Sequence, residues 1–165
     1  RTEYSVYAVK YYNRYIFLNL SIVNSLLDEY LRKGMKDGVV YNEKFVNKYK
    51  ADFVMECNES LVVVEAKGII SHRNKVLFPT VYSERAVRQL KDILELLKQG
   101  WKANYYYISL SPIVKEITLN SSKLFAEYRK CMIECINYGM KLEGYSTIYN
   151  NYDEIELGKK IRIIL

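Results

Sequence analysis

The sequence predicts an α/β fold: a central mixed β-sheet flanked by helices. Three observations predict it. Residues 61–67 (L-V-V-V-E-A-K) are apolar on both faces until Glu65 and Lys67 close the run, as in a central strand covered on both sides. Residues 81–98 form an amphipathic helix, with Val87, Leu90, Ile93, Leu94 and Leu97 on one arc and Glu84, Arg85, Arg88 and Gln89 on the other. Residues 104–110 alternate Tyr105, Tyr107 and Ser109 against Tyr106, Ile108 and Leu110, and Pro112 follows, so this stretch reads as another buried strand. The order helix, strands, helix, strand, helix is that of one layered α/β unit.

The elements follow in order. Residues 5–10 and 15–20 are candidate strands, joined by a polar turn at 11–14. Ser21 or Asn24 caps a helix running to about Lys33, with an apolar stripe of Ile22, Val23, Leu26, Leu27, Tyr30 and Leu31, ended by Gly34. Residues 39–48 predict one strand or two short ones, with Glu43 inside. A hairpin then pairs residues 52–57 with 61–67 through the turn residues Asn58, Glu59 and Ser60. Residues 68–77 read as a basic linker containing His72, Arg73 and Lys75, with a strand end at Ile69 and Ile70. Pro79 restricts Phe78 and defines the entry to the long helix, which Gly100 ends. Ser121 or Ser122 caps a helix at 123–138 that turns Phe125, Tyr128, Met132 and Ile136 inward, and Gly139 ends it. Residues 141–145 predict a strand on the sheet edge, and 155–165 one more short strand.

Composition narrows the partners. The chain has 165 residues, half of them apolar, enough for one domain with a real core. Lys and Arg number 25 against 19 acids, a net charge of +6, which suits a polyanion but also suits plain solubility. Cys57, Cys131 and Cys135 form neither a disulfide framework nor a zinc pattern, so a reduced, cytoplasmic protein is expected. No apolar run reaches the length of a membrane span, and no membrane partner is expected.

The chemistry gathers at the hairpin. Side chains alternate along a strand, so Asp52, Val54 and Glu56 share a face, as do Glu65 and Lys67. A tight hairpin sets Asp52 beside Glu65 and Lys67, although a one-residue slip in register separates them. Two carboxylates suit Mg²⁺ or Mn²⁺, and a lysine two residues on can orient or deprotonate a water or meet a phosphate. Asp52 and Glu65 are the candidate metal ligands, Glu43 an additional carboxylate, and Lys67 the candidate catalytic base or charge stabiliser. The bland alternative is a surface aspartate and an edge Glu/Lys pair. Around this cluster, His72, Arg73 and Lys75 form a candidate loop for phosphate-backbone contacts, equally readable as a solvated loop. Glu84, Arg85, Arg88 and Gln89 read first as a solvated helix face.

The stretch resembles the PD-(D/E)xK nuclease superfamily and, more closely, the sugar fermentation stimulation protein (SfsA) family. Four segments carry the resemblance: Val23-Asn24-Ser25-Leu26-Leu27; residues 43–53, ending Ala51-Asp52-Phe53; Val64-Glu65-Ala66-Lys67; and Phe78-Pro79-Thr80-Val81-Tyr82-Ser83-Glu84-Arg85. A looser match runs through Leu90, Gly100 and Leu124-Phe125-Ala126. Thr80 departs from the family's usual aspartate.

The resemblance implies a restriction-endonuclease-like fold and a metal site of Glu43, Asp52, Glu65 and Lys67. It implies that Glu84 supports this site and that Arg85 and Gln89 contact phosphates or base edges. It also implies an N-terminal OB-like module, of which residues 1–20 would be the remnant or junction within a single nuclease-like domain of residues 1–165. DNA is the expected partner, and a homodimer would span a duplex. The expected function is metal-dependent hydrolysis of DNA phosphodiesters. The alternative is a DNA-binding module on a nuclease scaffold without efficient cleavage.

Overall fold

The protein is described by a computed structural model, in which residues 6–58, 60–149 and 154–165 are described. Two residues that figure in the predicted elements, Ser5 and Glu59, lie outside them. In chain order the elements are β1 (Ala8–Tyr11), β2 (Arg14–Phe17), α1 (Ile22–Gly34), β3 (Val39–Asn42), β4 (Phe45–Val46), β5 (Tyr49–Lys50), β6 (Phe53–Cys57), β7 (Ser60–Ile69), β8 (Lys75–Phe78), α2 (Glu84–Lys98), β9 (Lys102–Ser109), β10 (Glu116–Leu119), a 3₁₀ turn (Lys123–Phe125), α3 (Ala126–Asn137), β11 (Lys141–Tyr149), β12 (Ile155–Lys160) and β13 (Arg162–Ile164).

The main sheet is six-stranded and mixed, in the order β12-β11-β9-β7-β6-β3. β7, β9 and β11 run parallel, while β3, β6 and β12 are antiparallel to their neighbours. β7 is central, as its two-faced apolar run predicts. Its alternation divides the core. Val63 and Ile69 face α2 and α3, in one cluster with Leu90, Ile93, Tyr105, Tyr107, Tyr128 and Met132. Val64 and Ala66 face α1, in a second cluster with Val23, Leu27, Leu31, Phe53 and Ile108. Gly68 lies where α1 comes closest to β7: a Cβ there would sit 2.5 Å from Leu20 Cδ2 and 2.9 Å from Val23 Cγ2.

Helix α2 begins at Glu84 rather than at 81. Ser83 is its cap, its Oγ accepting the Ala86 N–H at 3.2 Å. Residues 81–83 are thereby left outside the helix. Of the one strand or two short ones expected at 39–48, the structure has the two, β3 and β4; Glu43 adopts a left-handed backbone (φ 51°) between them and so stands in a turn rather than inside a strand. β11 is interior rather than an edge: β12 pairs along its outer side, and Ser146 Oγ accepts the Lys159 N–H at 3.1 Å. Residues 155–164 hold two strands, where one was expected, because Ile161 interrupts them and its N–H donates to Gly144 O at 2.8 Å.

The basic linker contains β8, and the unexpected β10 follows α2 and β9. With β13 they form a separate parallel sheet in the order β13-β10-β8. That small sheet delivers Phe78 and Pro79 to the start of the segment leading into α2. Asn120 holds them there: its N–H donates to Phe78 O at 2.8 Å and its Nδ2 to Pro79 O at 3.1 Å.

Candidate active site

The hairpin register decides the central geometry. Phe53 lies opposite Val64 and Val54 opposite Val63. Asp52 directly precedes β6, one step beyond the Phe53–Val64 pair and so level with Glu65. The carboxylate is fixed there, with Oδ2 accepting the Ala66 N–H at 2.8 Å.

Glu65 is the most deeply buried charged residue of the centre, at 1% exposure. Both its oxygens are engaged: Oε1 accepts from Lys67 Nζ at 2.5 Å, and Oε2 accepts from the Tyr49 hydroxyl at 2.5 Å. Burial pushes the Glu65 carboxyl above the usual carboxylate range. The Lys67 ammonium opposes that shift and the Asp52 charge adds to it. Tyr49 is itself pushed far above the usual phenol range, by burial first and the Glu65 charge second, and so remains a protonated donor.

Lys67 is partly exposed, and its Nζ also donates to Gln89 Oε1 of α2 at 2.9 Å. It therefore bridges the buried carboxylate and the helix. Arg85, one turn before Gln89, lines the same cleft, which encloses about 530 Å³ between the end of β7, the segment after β8, and α2. Glu84 and Arg88 are exposed on α2 and are not among the residues lining it.

Glu43 lies on the other side of Asp52. Its N–H donates to Asp52 O at 2.8 Å, and Ala51 N–H donates to Lys44 O at 3.0 Å, so the turn is stapled to the segment carrying the aspartate. Asn24, Asp28, Asn42, Glu43 and Asp52 share a depression of about 380 Å³. The Glu43 carboxylate is exposed and paired with Lys50 at 2.7 Å; that hydrogen bond holds it below the usual carboxylate range. Among the described residues, no group of three His, Cys, Asp or Glu side chains is arranged to hold a metal ion.

The structure thus brings Asp52, Glu65, Lys67, Gln89 and Arg85 to one region, with Glu43 at its margin. The predicted phosphate loop is elsewhere: none of its residues lines the cleft. His72 is exposed with its ring 5.4 Å from that of Tyr11, Arg73 is exposed, and Lys75 pairs with Glu116 at 3.2 Å. Sequence reasoning missed Tyr49. Nothing marks it among 17 tyrosines except its place three residues before Asp52. No helix among the described residues is long and apolar enough to cross a membrane.

Comparison with known proteins bears on this arrangement. A protein homologue of sugar fermentation stimulation protein from Ruminiclostridium cellulolyticum is 28% identical over 112 residues, covering 66% of this chain and 50% of its own length. The homologue from Desulfitobacterium hafniense is 24% identical over 168 residues, covering all of this chain and 73% of its own. The chain therefore spans between half and three quarters of these two relatives. Pyrococcus furiosus SfsA, solved in complex with Ca²⁺, superposes with a TM-score of 0.82 at 16% identity, over all of this chain and 74% of that one, and so shares the fold. The family model described as the sugar fermentation stimulation protein RE domain matches residues 20–152, which contain the whole Asp52–Glu65–Lys67 centre, and the chain belongs to the SfsA family.

Proposed function

We propose that the protein is a divalent-metal-dependent hydrolase of DNA phosphodiesters, built on a PD-(D/E)xK-type site. The observation that carries this reading is the meeting of Asp52, Glu65 and Lys67 at one end of the β6–β7 hairpin, with all three partly or fully withdrawn from water.

The donor set fits a hard cation. Asp52 and Glu65 offer carboxylate oxygens and no sulfur. Asp52 Oδ1 has no hydrogen-bond partner among the described residues, so it is available to an incoming ligand. Asp52 and Glu65 would hold Mg²⁺ or Mn²⁺, with Glu43 supporting from the shared depression. When bound, the cation supplies Lewis-acid stabilisation of charge on the phosphoryl oxygens. The P. furiosus relative's complex with Ca²⁺, another cation that takes oxygen ligands, supports the choice of a divalent metal.

Lys67 spends two of its three N–H donors on Glu65 and Gln89. The third is left for the attacking water or for a phosphate oxygen. Tyr49 keeps Glu65 oriented. Arg85 lines the cleft as a phosphate contact, and Glu84 and Arg88 are exposed near it on α2; His72, Arg73 and Lys75 lie apart from the cleft and would meet DNA only at a second point. The three free thiols fit a cytoplasmic setting, and two copies would be needed to span a duplex.

One observation favours a second reading, a DNA-binding module that does not cut. The pairing of Glu43 with Lys50 leaves two carboxylates at the centre rather than three. Cleavage of labelled single-stranded, duplex and branched DNA with Mg²⁺ or Mn²⁺ separates the two. Cleavage lost in both Asp52→Ala and Lys67→Ala supports the hydrolase. Salt-sensitive DNA binding without cleavage, unchanged in both variants, supports the binding module.

A further inference from the structure

The cleft beside Lys67 has a chemistry that phosphodiester hydrolysis alone does not require. Its charged lining consists of Lys67 and Arg85, with no carboxylate among the lining residues. The same lining includes the apolar side chains of Leu20, Phe78 and Val81. Leu20 is 53% exposed and Val81 77% exposed, so both are open to an occupant, while Phe78 is half-buried with its ring against Tyr107 and Tyr128. The enclosed volume, about 530 Å³, lies in the range of small-molecule sites.

A second observation lies beside the same space. Tyr128, buried at the edge of the cleft, has its hydroxyl 3.2 Å from that of Tyr105 and 2.9 Å from that of Tyr107. Three hydroxyls carry three hydrogens, but only two O···O contacts join them. No other partner of the trio exists among the described residues, so one buried O–H is left without an acceptor. When Tyr128 accepts from both neighbours, the spare hydrogen is its own, on the one member of the trio that borders the cleft.

We propose that this cleft binds one unpaired nucleotide unit, its phosphate between Lys67 and Arg85 and its base against the Leu20–Phe78–Val81 wall. The inference rests on the phosphodiester reading and narrows its substrate to a strand with an unpaired nucleotide at the point of cutting. Arg85 gives the phosphate a forked donor set, and Lys67 gives a point charge. The apolar wall accepts any base through its face, so the pocket selects for an unstacked nucleotide rather than for sequence. A base stacked in a duplex cannot offer that face without leaving the helix.

The test uses the whole chain in EDTA, so that binding is read without metal or cleavage. Titration with dAMP and dCMP is followed by calorimetry and by saturation transfer from protein to base protons. Binding of both nucleotides, weakened at least about tenfold in Arg85→Ala and retained in Lys98→Ala, at the exposed far end of α2, supports the pocket. Arg85 is exposed, so its removal leaves the core untouched, which circular dichroism checks. Val81→Asp, which sets a carboxylate against the base, is expected to weaken binding in the same way.

Two further arms identify the source of the nucleotide. Competition by a 5′-phosphorylated or 3′-phosphorylated oligonucleotide, with none from circular single strands, makes it a strand end. Competition by circular single strands makes it an internal unpaired nucleotide. Either outcome supports the pocket. No binding by any mononucleotide, displacement by inorganic phosphate alone at equal concentration, or unchanged affinity in Arg85→Ala would overturn it. Loss of DNA cleavage in Asp52→Ala is read separately, so the hydrolase and the pocket can fail independently.

Discussion

Replacing Tyr49 by phenylalanine removes one O–H donor from Glu65 and leaves the ring in place. The perturbation is therefore free of a cavity term. Tyr49 is 4% exposed and Glu65 1%, so water does not substitute for the lost donor. A hydrogen bond to an ionised acceptor contributes about 1.5–3 kcal/mol, and one to a neutral carboxyl about 1 kcal/mol. Glu65 has a folded-state pKa raised by burial, so its contribution is fully present below the unfolded carboxylate pKa and is lost as pH rises through the raised value. Without Tyr49 the ionised form loses more than the neutral form, and that pKa rises further. The stability gap between parent and Tyr49→Phe is thus expected to be about 1.5–3 kcal/mol on the alkaline side of the Glu65 transition and to shrink toward about 1 kcal/mol on its acid side. Urea unfolding at several pH values, without metal, measures it. A gap that is negligible throughout, or that widens in acid, refutes the assignment of Tyr49 as the donor that holds Glu65 ionised.

Four other outcomes are expected. Mg²⁺, Mn²⁺ or Ca²⁺ should raise the melting temperature of the parent, and Asp52→Asn should remove that rise while keeping side-chain volume; scanning calorimetry with and without EDTA reads both. Lys67→Ala should lower DNA cleavage by at least about a hundredfold, by analogy with the loss of a proton-transfer group or a single charge-stabilising donor, and leave the fold's circular dichroism unchanged. Leu90→Ala, at a site with 0% exposure between α2 and the sheet, should cost about 2–5 kcal/mol in denaturant unfolding. Gly68→Ala should destabilise by about 1–3 kcal/mol, because its new methyl meets Leu20 and Val23 below contact distance; a crystal structure would show α1 displaced from β7.

The central strand was legible because residues 61–67 are apolar on both faces and then stop at a carboxylate and a lysine. The amphipathic arc of α2 was legible for a similar reason, and its spacing alone places Arg85 and Gln89 together. The hairpin register was not legible. Asp52 meets Glu65 only because Phe53 and Val64 must both enter the α1-side core, a tertiary demand absent from the local pattern. The small parallel sheet was hidden for a different reason. β8, β10 and β13 are three or four residues long, and each finds its partner far along the chain, so no hairpin signal marks them. Helix α3 kept its expected inward face of Phe125, Tyr128 and Met132, but its first turn tightened into a 3₁₀ turn. Glu43 was read as part of a strand because Val39–Asn42 and Phe45–Val46 flank it with β-formers, and its left-handed backbone leaves no trace in residue type.

The small parallel sheet has a kinetic consequence. It joins residues 75–78 to 116–119 and to 162–164, so its contacts close long loops, and the entropy of those loops must be spent before any strand pairing rewards it. The hairpin carrying Asp52 and Glu65 is local and can form on its own schedule. Phe78, one wall of the cleft, can settle only when β8 has found β10 and Asn120 has closed over it. The acidic centre is therefore expected to assemble early and the cleft wall to be finished late, an order that pulsed hydrogen exchange during refolding reads.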